Sequence, residues 1–493
     1  MPRAFRLSLR SARFIVALLL GVKLLLLVWN AAVFDGQTYA ATYHSDRALS
    51  GGLVPRKIAE DPPLYYLPAL LLPRFSEPRV AVRSVQYGDS LDHETLPKAR
   101  KLRPSKAERA LRDRLLDGLR YSNVLWLAAF YVVWIYLVFP KLCAGAAGWF
   151  AASLLLLSVP GYQKLGAMSH PDNALAATLA VAIAAWLAGR SSWTTSQDLG
   201  AATLARKMLS VCALPVAILL VVLSRKPSVL PLTVLTVLAV VSAVRRSSAS
   251  KSRRFTLVGL ALLPALFATV WPALRARHHE PAPAAPVVST ASGAAHERVA
   301  HARYLRTLHL DALIETPSEQ LSDGLTETVG LPTLAFSDTW GDHWLAFSGQ
   351  QGDDKVWPKR MSLMAATPLL ALVPALLLFS LYRIMNDARR SYLEQRGGIA
   401  ARLQGVAREY ERELALTAVL CAYAGTYLAW HFKELSLAGA DWTLRFIHFA
   451  PFLPLAIALL FSRRLHPAIS AMICGYFLAL FGAAFAVAMY WPA

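Results

Sequence analysis

Apolar runs long enough to cross a bilayer recur along almost the whole chain, broken by short basic connections and two long polar stretches. The first run, 14–33, follows Arg3, Arg6, Arg10 and Arg13. At about 20 residues it suits a full span better than the core of a signal peptide, so a retained anchor with its basic end in the cytoplasm is expected. Lys23 lies inside this run, and its stem is expected to snorkel toward the interface, an inward-facing polar role being the alternative. Further spans are predicted over 121–139, 145–159, 174–189, 208–223, 229–244, 255–271, 361–382, 414–430, 446–461 and 468–491, about eleven in all. The pattern predicts an all-α polytopic membrane protein.

With the N-terminus inside, the connections holding Lys141, 190–207, 245–254, 383–412 and Arg463–Arg464 fall in the cytoplasm. These are the basic connections, as the positive-inside rule requires. The regions 35–120, 160–173, 274–360 and 431–445 then lie on the opposite side. The resulting organisation is a membrane module over 1–273 whose first outer loop, 31–120, carries the candidate chemistry, an extracytoplasmic loop region over 274–360, and C-terminal transmembrane helices over 361–493. Within the first loop, 106–119 has an amphipathic helical pattern with Leu111, Leu115, Leu116 and Leu119 on one face, and is expected to lie on the membrane. The second loop opens on a Pro/Ala linker at 281–286, then turns helical over 296–315, which fits a small outer subdomain. The charged stretch 386–413 is helical in pattern and expected to be a solvated connector.

Composition agrees: 493 residues, 56% hydrophobic and only 17% charged, lie outside the range of soluble chains. The formal charge of +20 raises nucleic acid as a partner, but no zinc spacing, recognition helix or ribonucleoprotein motif accompanies it. Lipid phosphate is the expected partner, not nucleic acid. Cys143, Cys212, Cys421 and Cys474 lie in or beside apolar runs and are expected to be small core residues, with neither disulfide nor metal spacing. No P-loop, dinucleotide fingerprint, nucleophile elbow or HExxH motif is present, and His278, His279 and Glu280 in a Pro-rich loop are expected at the surface.

The chemistry therefore concentrates in the outer segments. Asp35 follows the first span closely, where hydrocarbon gives way to water, either as a carboxylate serving a lipid-bound substrate or as the first polar residue after a span. His44, Asp46 and a glycine-rich piece lead to Asp61, Pro62, Pro63, Leu64, Tyr65 and Tyr66, and Arg120 opens the second span. His170-Pro171-Asp172-Asn173 precedes the fourth span, Ser224-Arg225-Lys226-Pro227 lies between the fifth and sixth, and Lys433 with Arg445-Phe446-Ile447-His448 precedes the tenth. The stretch 337–347 sets Trp340 and Trp344 beside Asp338 and Asp342, which suits sugar or lipid-headgroup contact as well as ordinary interfacial anchoring.

In that order, these motifs resemble the polytopic glycosyltransferases of the GT-C fold, in particular the branch with the protein O-mannosyltransferases and the lipid A aminoarabinose transferases. The resemblance covers most of the membrane portion but neither the insert near 76–119 nor the loop after Trp271. It implies Asp35 as the base that deprotonates or orients the acceptor, with Asp46 as the alternative acid. Asp172 matches a second acidic position, with orienting the acceptor, binding a divalent cation or holding nearby loops open to it. Lys433 and Arg445, with Lys226 third, match cations that grip the phosphate of a polyprenyl-phosphate sugar. His44, Pro62, Pro63, Tyr65, Tyr66, His170, Trp340 and Asp342 would line the substrate loops. One departure is Asp61, where the aminoarabinose transferases carry Lys before Pro-Pro, and this weakens the lipid A reading.

The expectation is transfer of one sugar from a lipid-linked donor to an extracytoplasmic lipid, glycan or protein acceptor, with inversion at the anomeric carbon, at a bacterial inner membrane. No nucleotide is needed, and no metal ligand set is assigned. The competing classes are a transporter or flippase of a lipid-linked saccharide, and a ligase or polymerase that moves a whole oligosaccharide.

Overall fold

The computed structural model describes residues 9–33, 63–65, 68, 106–167, 172–192, 213, 216–221, 233–238, 259, 336, 339–340, 362–435 and 452–490. Among them every regular element is helical. In chain order these are α1 (Leu9–Val33), a 3-10 turn (Pro63–Tyr65), α2 (Lys106–Val132), a π-helical stretch (Val133–Val138), α3 (Phe139–Leu142), α4 (Gly145–Ser158), α5 (Gly161–Ala167) and α6 (Asp172–Ser192). The C-terminal part adds α7 (Leu369–Glu394), α8 (Ile399–Glu409), α9 (Glu411–Leu435), α10 (Phe452–Leu460) and α11 (Pro467–Tyr490). Among the described residues four helices are long and apolar enough to cross a membrane: Arg10–Ala32, Gly118–Leu142, Ser362–Glu394 and Pro467–Ala486. Gly145–Ser158 and Asn173–Ala188 are shorter apolar helices. The spans predicted over 208–223, 229–244 and 255–271 lie largely outside the described residues.

The pattern of α1 explains its place. Ala12, Val16, Leu20, Leu27 and Ala31 recur at helical spacing and are buried, while Phe14, Leu18, Leu25 and Trp29 on other faces are exposed. A helix apolar both inward and outward belongs in lipid. α4 is buried almost all round from Trp149 to Ser158 and packs most extensively on α11, where the Ser158 hydroxyl donates to the Phe477 carbonyl at 3.0 Å. α6, rich in alanine, packs along α2 and the π-helical stretch. Small residues let these backbones approach closely. The carbonyl of Ile135 in the π-helical turn accepts the Trp149 indole N–H at 2.6 Å, so a group displaced from regular helix pairing is taken up by a neighbouring helix.

Two expectations are corrected here. The segment 106–119 is not a separate surface helix, because one helix runs from Lys106 to Val132 and enters the second span without a break. No proline or glycine pair interrupts the junction at Gly118–Tyr121, and the apolar face containing Leu119 continues into the bundle. Lys23 does not snorkel: it is 3% exposed, and its Nζ donates to the Val159 carbonyl at 3.1 Å. The reason is local, because Pro160 ends α4 and the Gln163 N–H turns back to the Pro160 carbonyl at 2.8 Å, which leaves Val159 to find a partner elsewhere. α5 then lies close to α1 and α2. A side-chain carbon on Gly166 would come within 2.5 Å of Leu27 Cδ2 and 3.4 Å of Leu127 Cδ1.

The charged stretch 386–413 is also more than a solvated connector. α7 continues past the apolar span, Gly397 turns the chain with φ +123°, and α8 folds back so that Ser391 donates to Glu409 at 2.6 Å. At the base of this hairpin Arg463 pairs with Asp387 at 3.2 Å and stacks over Tyr410, with 5.5 Å to the ring centre. Arg412 donates to the Lys141 carbonyl at 2.7 Å, and Ala144 N–H to the Phe461 carbonyl at 2.8 Å. Three basic connections, at 141–144, 383–413 and 461–464, thus meet at one end of the molecule. Among the cysteines, Cys143 is buried, Cys474 is half-buried and Cys421 is exposed, so the core reading fails for Cys421.

The Lys23 contact gives the first prediction. Lys23→Met keeps an unbranched stem but strips Val159 of its partner, which should cost about 1–3 kcal/mol. Thermal unfolding of purified protein in detergent checks this, with Leu25→Met on the exposed face as a near-neutral comparison. A snorkelling lysine would leave both variants alike.

Candidate functional site

The end of the bundle away from the basic connections holds a layer of buried polar residues. Its lid is the 3-10 turn, whose form suits the proline pair: fixed φ at Pro62 and Pro63 and no N–H on either favour a tight turn over continued helix. Tyr65 of this turn is fully buried and packs with Leu119 of α2 and Ala174 of α6, with Trp126 against the same cluster. Three segments far apart in sequence therefore meet: the Pro-Pro-Leu-Tyr element, the start of the second span and the start of α6.

Beside these apolar contacts stand Arg120 and Asn123 on α2 and Asn173 on α6, all buried and each engaged by a partner. Asn30, near the end of α1, belongs to the same layer by register. Leu27 and Leu127 both reach Gly166, so they mark a common height. α1 and α2 run in opposite directions there. One turn beyond Leu27 on α1 is Asn30, and one turn beyond Leu127 on α2 is Asn123. Asn30 is 2% exposed, and neither atom of its carboxamide has a hydrogen-bond partner among the described residues. An arginine and three asparagines in an apolar bundle are costly to bury, which marks this layer as the candidate site.

The predicted site residues distribute around it. Asp172 is the first residue of α6, directly before Asn173 and Ala174, so the backbone carries it to the lid. Lys433 lies in the last turn of α9, whose start is held at the basic end through Arg412. A 25-residue helix is about 37 Å long, so α9 carries Lys433 away from that end. Pro63 and Tyr65 form the lid. Asp35 follows the end of α1 by two residues and lies outside the described residues, as do His44, Asp46, Pro62, Tyr66, His170, Lys226, Asp342 and Arg445.

Trp340 has a different setting from the one its loop suggested. It is buried in the main core, and its carbonyl accepts the Ser362 hydroxyl at the head of the span Ser362–Glu394. Packing there holds the indole away from water, and the Ser362 contact ties Trp340 to the bundle. Among the described residues no group of three or more His, Cys, Asp or Glu side chains could hold a metal ion. Asn30 and Asn123 were missed in the sequence. The available signal was an amide inside each apolar run, at Asn30 before the end of the first and Asn123 near the start of the second.

No family model, curated protein or solved structure matches the chain.

The lid makes a separable prediction. Tyr65→Ala should lose about 3–5 kcal/mol, because a fully buried ring is removed from between α2 and α6, whereas Tyr65→Phe keeps the ring and should lose much less. Thermal unfolding of the two variants side by side reads the difference.

Proposed function

We propose that this protein is a GT-C-like membrane glycosyltransferase with about eleven transmembrane helices, moving a sugar from a polyprenyl-phosphate carrier to an extracytoplasmic acceptor. The supporting observation is the convergence of the lid turn, Arg120 and the Asp172-bearing start of α6 at the end opposite the basic connections. The basic end lies in the cytoplasm by the positive-inside rule, and the polar layer faces the other side of an inner membrane.

In this mechanism Asp35, just beyond α1, is the general base. It takes the proton of the acceptor hydroxyl as that oxygen attacks the anomeric carbon, and the carbon–oxygen bond to phosphate breaks on the opposite face. The product is inverted, and the leaving polyprenyl phosphate keeps the electron pair. Lys433, Arg445 and Lys226 offset the charge growing on that phosphate, an effect of a few kcal/mol per well-placed donor in a dry site. Asp172 orients the acceptor or holds nearby loops, and would hold a divalent cation if one is bound.

Asp35→Asn should cut single-turnover transfer by about a hundredfold to ten-thousandfold while donor binding and folding stay normal, because the amide keeps size but not basicity. Parallel assays of Asp46→Asn and Asp172→Asn locate the base, and normal transfer by all three would end the mechanism. Sidedness is tested independently in whole cells, in a background without native cysteines. A cysteine at Asp172 should react with an impermeant thiol reagent, and one at exposed Arg396 on the hairpin should not.

A further inference from the structure

The polar layer is engaged in part, since the Ser122 hydroxyl beside Asn123 is buried without a partner among the described residues. Arg120, Asn123 and Asn173 each have a partner, and Tyr65 closes the layer from above. Asn30 stands apart, with both its donor and its acceptor buried and open among the described residues. The amide is not simply tolerated as lipid-facing polarity, because Asn30 shares the inward stripe of α1 with Leu27 and Ala31 while Trp29 next to it is exposed. A neutral carboxamide offers one acceptor and two N–H donors. Its natural complement is a group that both donates and accepts, and a hydroxyl does so where a phosphate oxygen only accepts.

Gln163 on α5 provides an internal comparison. It is 0% exposed and its carboxamide likewise has no partner among the described residues. Its place differs, however. Val159 meets Lys23 and Gly166 meets Leu27, so Gln163 lies between those two heights, on the cytoplasmic side of the close contact between Leu27 and Gly166. Asn30 lies on the other side of that contact, in the layer that Asp35 follows. The tight Leu27–Gly166 approach separates the two amides.

We propose that Asn30 is a sugar-reading residue of the site: its carboxamide pairs with a hydroxyl of the sugar carried on the polyprenyl phosphate. This rests on the transfer reading above, which supplies the lipid-linked sugar as ligand. The sugar hydroxyl satisfies an amide that the protein leaves open, so a donor bearing a sugar binds better than the bare lipid phosphate. A site built to hydrogen-bond a hydroxyl discriminates strongly against a ligand lacking it, since the buried amide is then left unpaired.

The test compares full-length protein in detergent binding polyprenyl-phosphate hexose and bare polyprenyl phosphate, in wild type, Asn30→Leu and Gln163→Met. Leucine matches the shape of asparagine without its polar atoms. The expected result is that Asn30→Leu reduces the preference for the sugar-bearing lipid by about tenfold or more, leaves bare-lipid affinity unchanged and does not lower the melting temperature of ligand-free protein. Gln163→Met should keep the wild-type preference. The preference is a ratio read on folded protein, so a change in stability does not disguise it. If Asn30→Leu keeps the full preference, or Gln163→Met loses it equally, the assignment of Asn30 is overturned and the transfer reading stands. Wild type that binds both lipids equally overturns the assignment too, and wild type that takes neither overturns the transfer reading with it.

Discussion

A backbone carbonyl in hydrocarbon must find a hydrogen-bond donor, and the arrangement of this bundle turns on one place where the chain breaks that rule locally and repairs it at a distance. α4 ends at Ser158, Pro160 bars its continuation, and the Val159 carbonyl is met by Lys23 from the first helix. The contact does two things at once. It lets the chain start a new short helix, α5, inside the bundle, and it fixes the height of α1 beside it. Gly166 then brings α5 against Leu27 and Leu127, and the polar layer one turn further on inherits its register from that contact.

The opposite end is organised by charge. Arg412 reaches the last turn of the second span and ties the C-terminal helices to the N-terminal ones, while Arg463 joins Asp387 and the Tyr410 ring within the C-terminal part, all through groups that water can also reach. Such contacts contribute modestly to stability, each on the order of 1 kcal/mol or less where solvent screens them. Their consequence is geometric. They gather the basic connections at one face and leave the other face to Tyr65, Arg120, Asn123, Asn173 and Asn30, where burial makes each polar group costly unless it is paired.

That division sets the candidate site at the far face. The acid opening α6 and the lysine in the last turn of α9 are carried by their helices toward the end where the buried polar layer lies. In such surroundings a charge or a hydrogen bond acts more strongly than it does in water. Trp340 is buried in the main core and held to the head of the Ser362–Glu394 helix through Ser362.

The sequence by itself determined the helices predicted over 145–159, 174–189 and 468–491, which the structure has at Gly145–Ser158, Asp172–Ser192 and Pro467–Tyr490, because a long apolar run in lipid has few alternatives to a helix that pairs its own backbone. It also determined which connections are basic, and it marked Asp172 before the fourth span and Pro63 and Tyr65 within the first outer loop. It did not decide that 106–132 is a single helix, since an amphipathic stretch and an apolar one look like two elements until the shared inward face is seen. It did not decide where Lys23 or Trp340 point, because a lysine stem or an indole suits either an interface or an interior. The open amide of Asn30 was invisible for the same reason. Whether a polar side chain in an apolar run meets lipid, a carbonyl or nothing depends on the neighbouring helix, and only the packing of α1 against α2 and α5 supplies that neighbour.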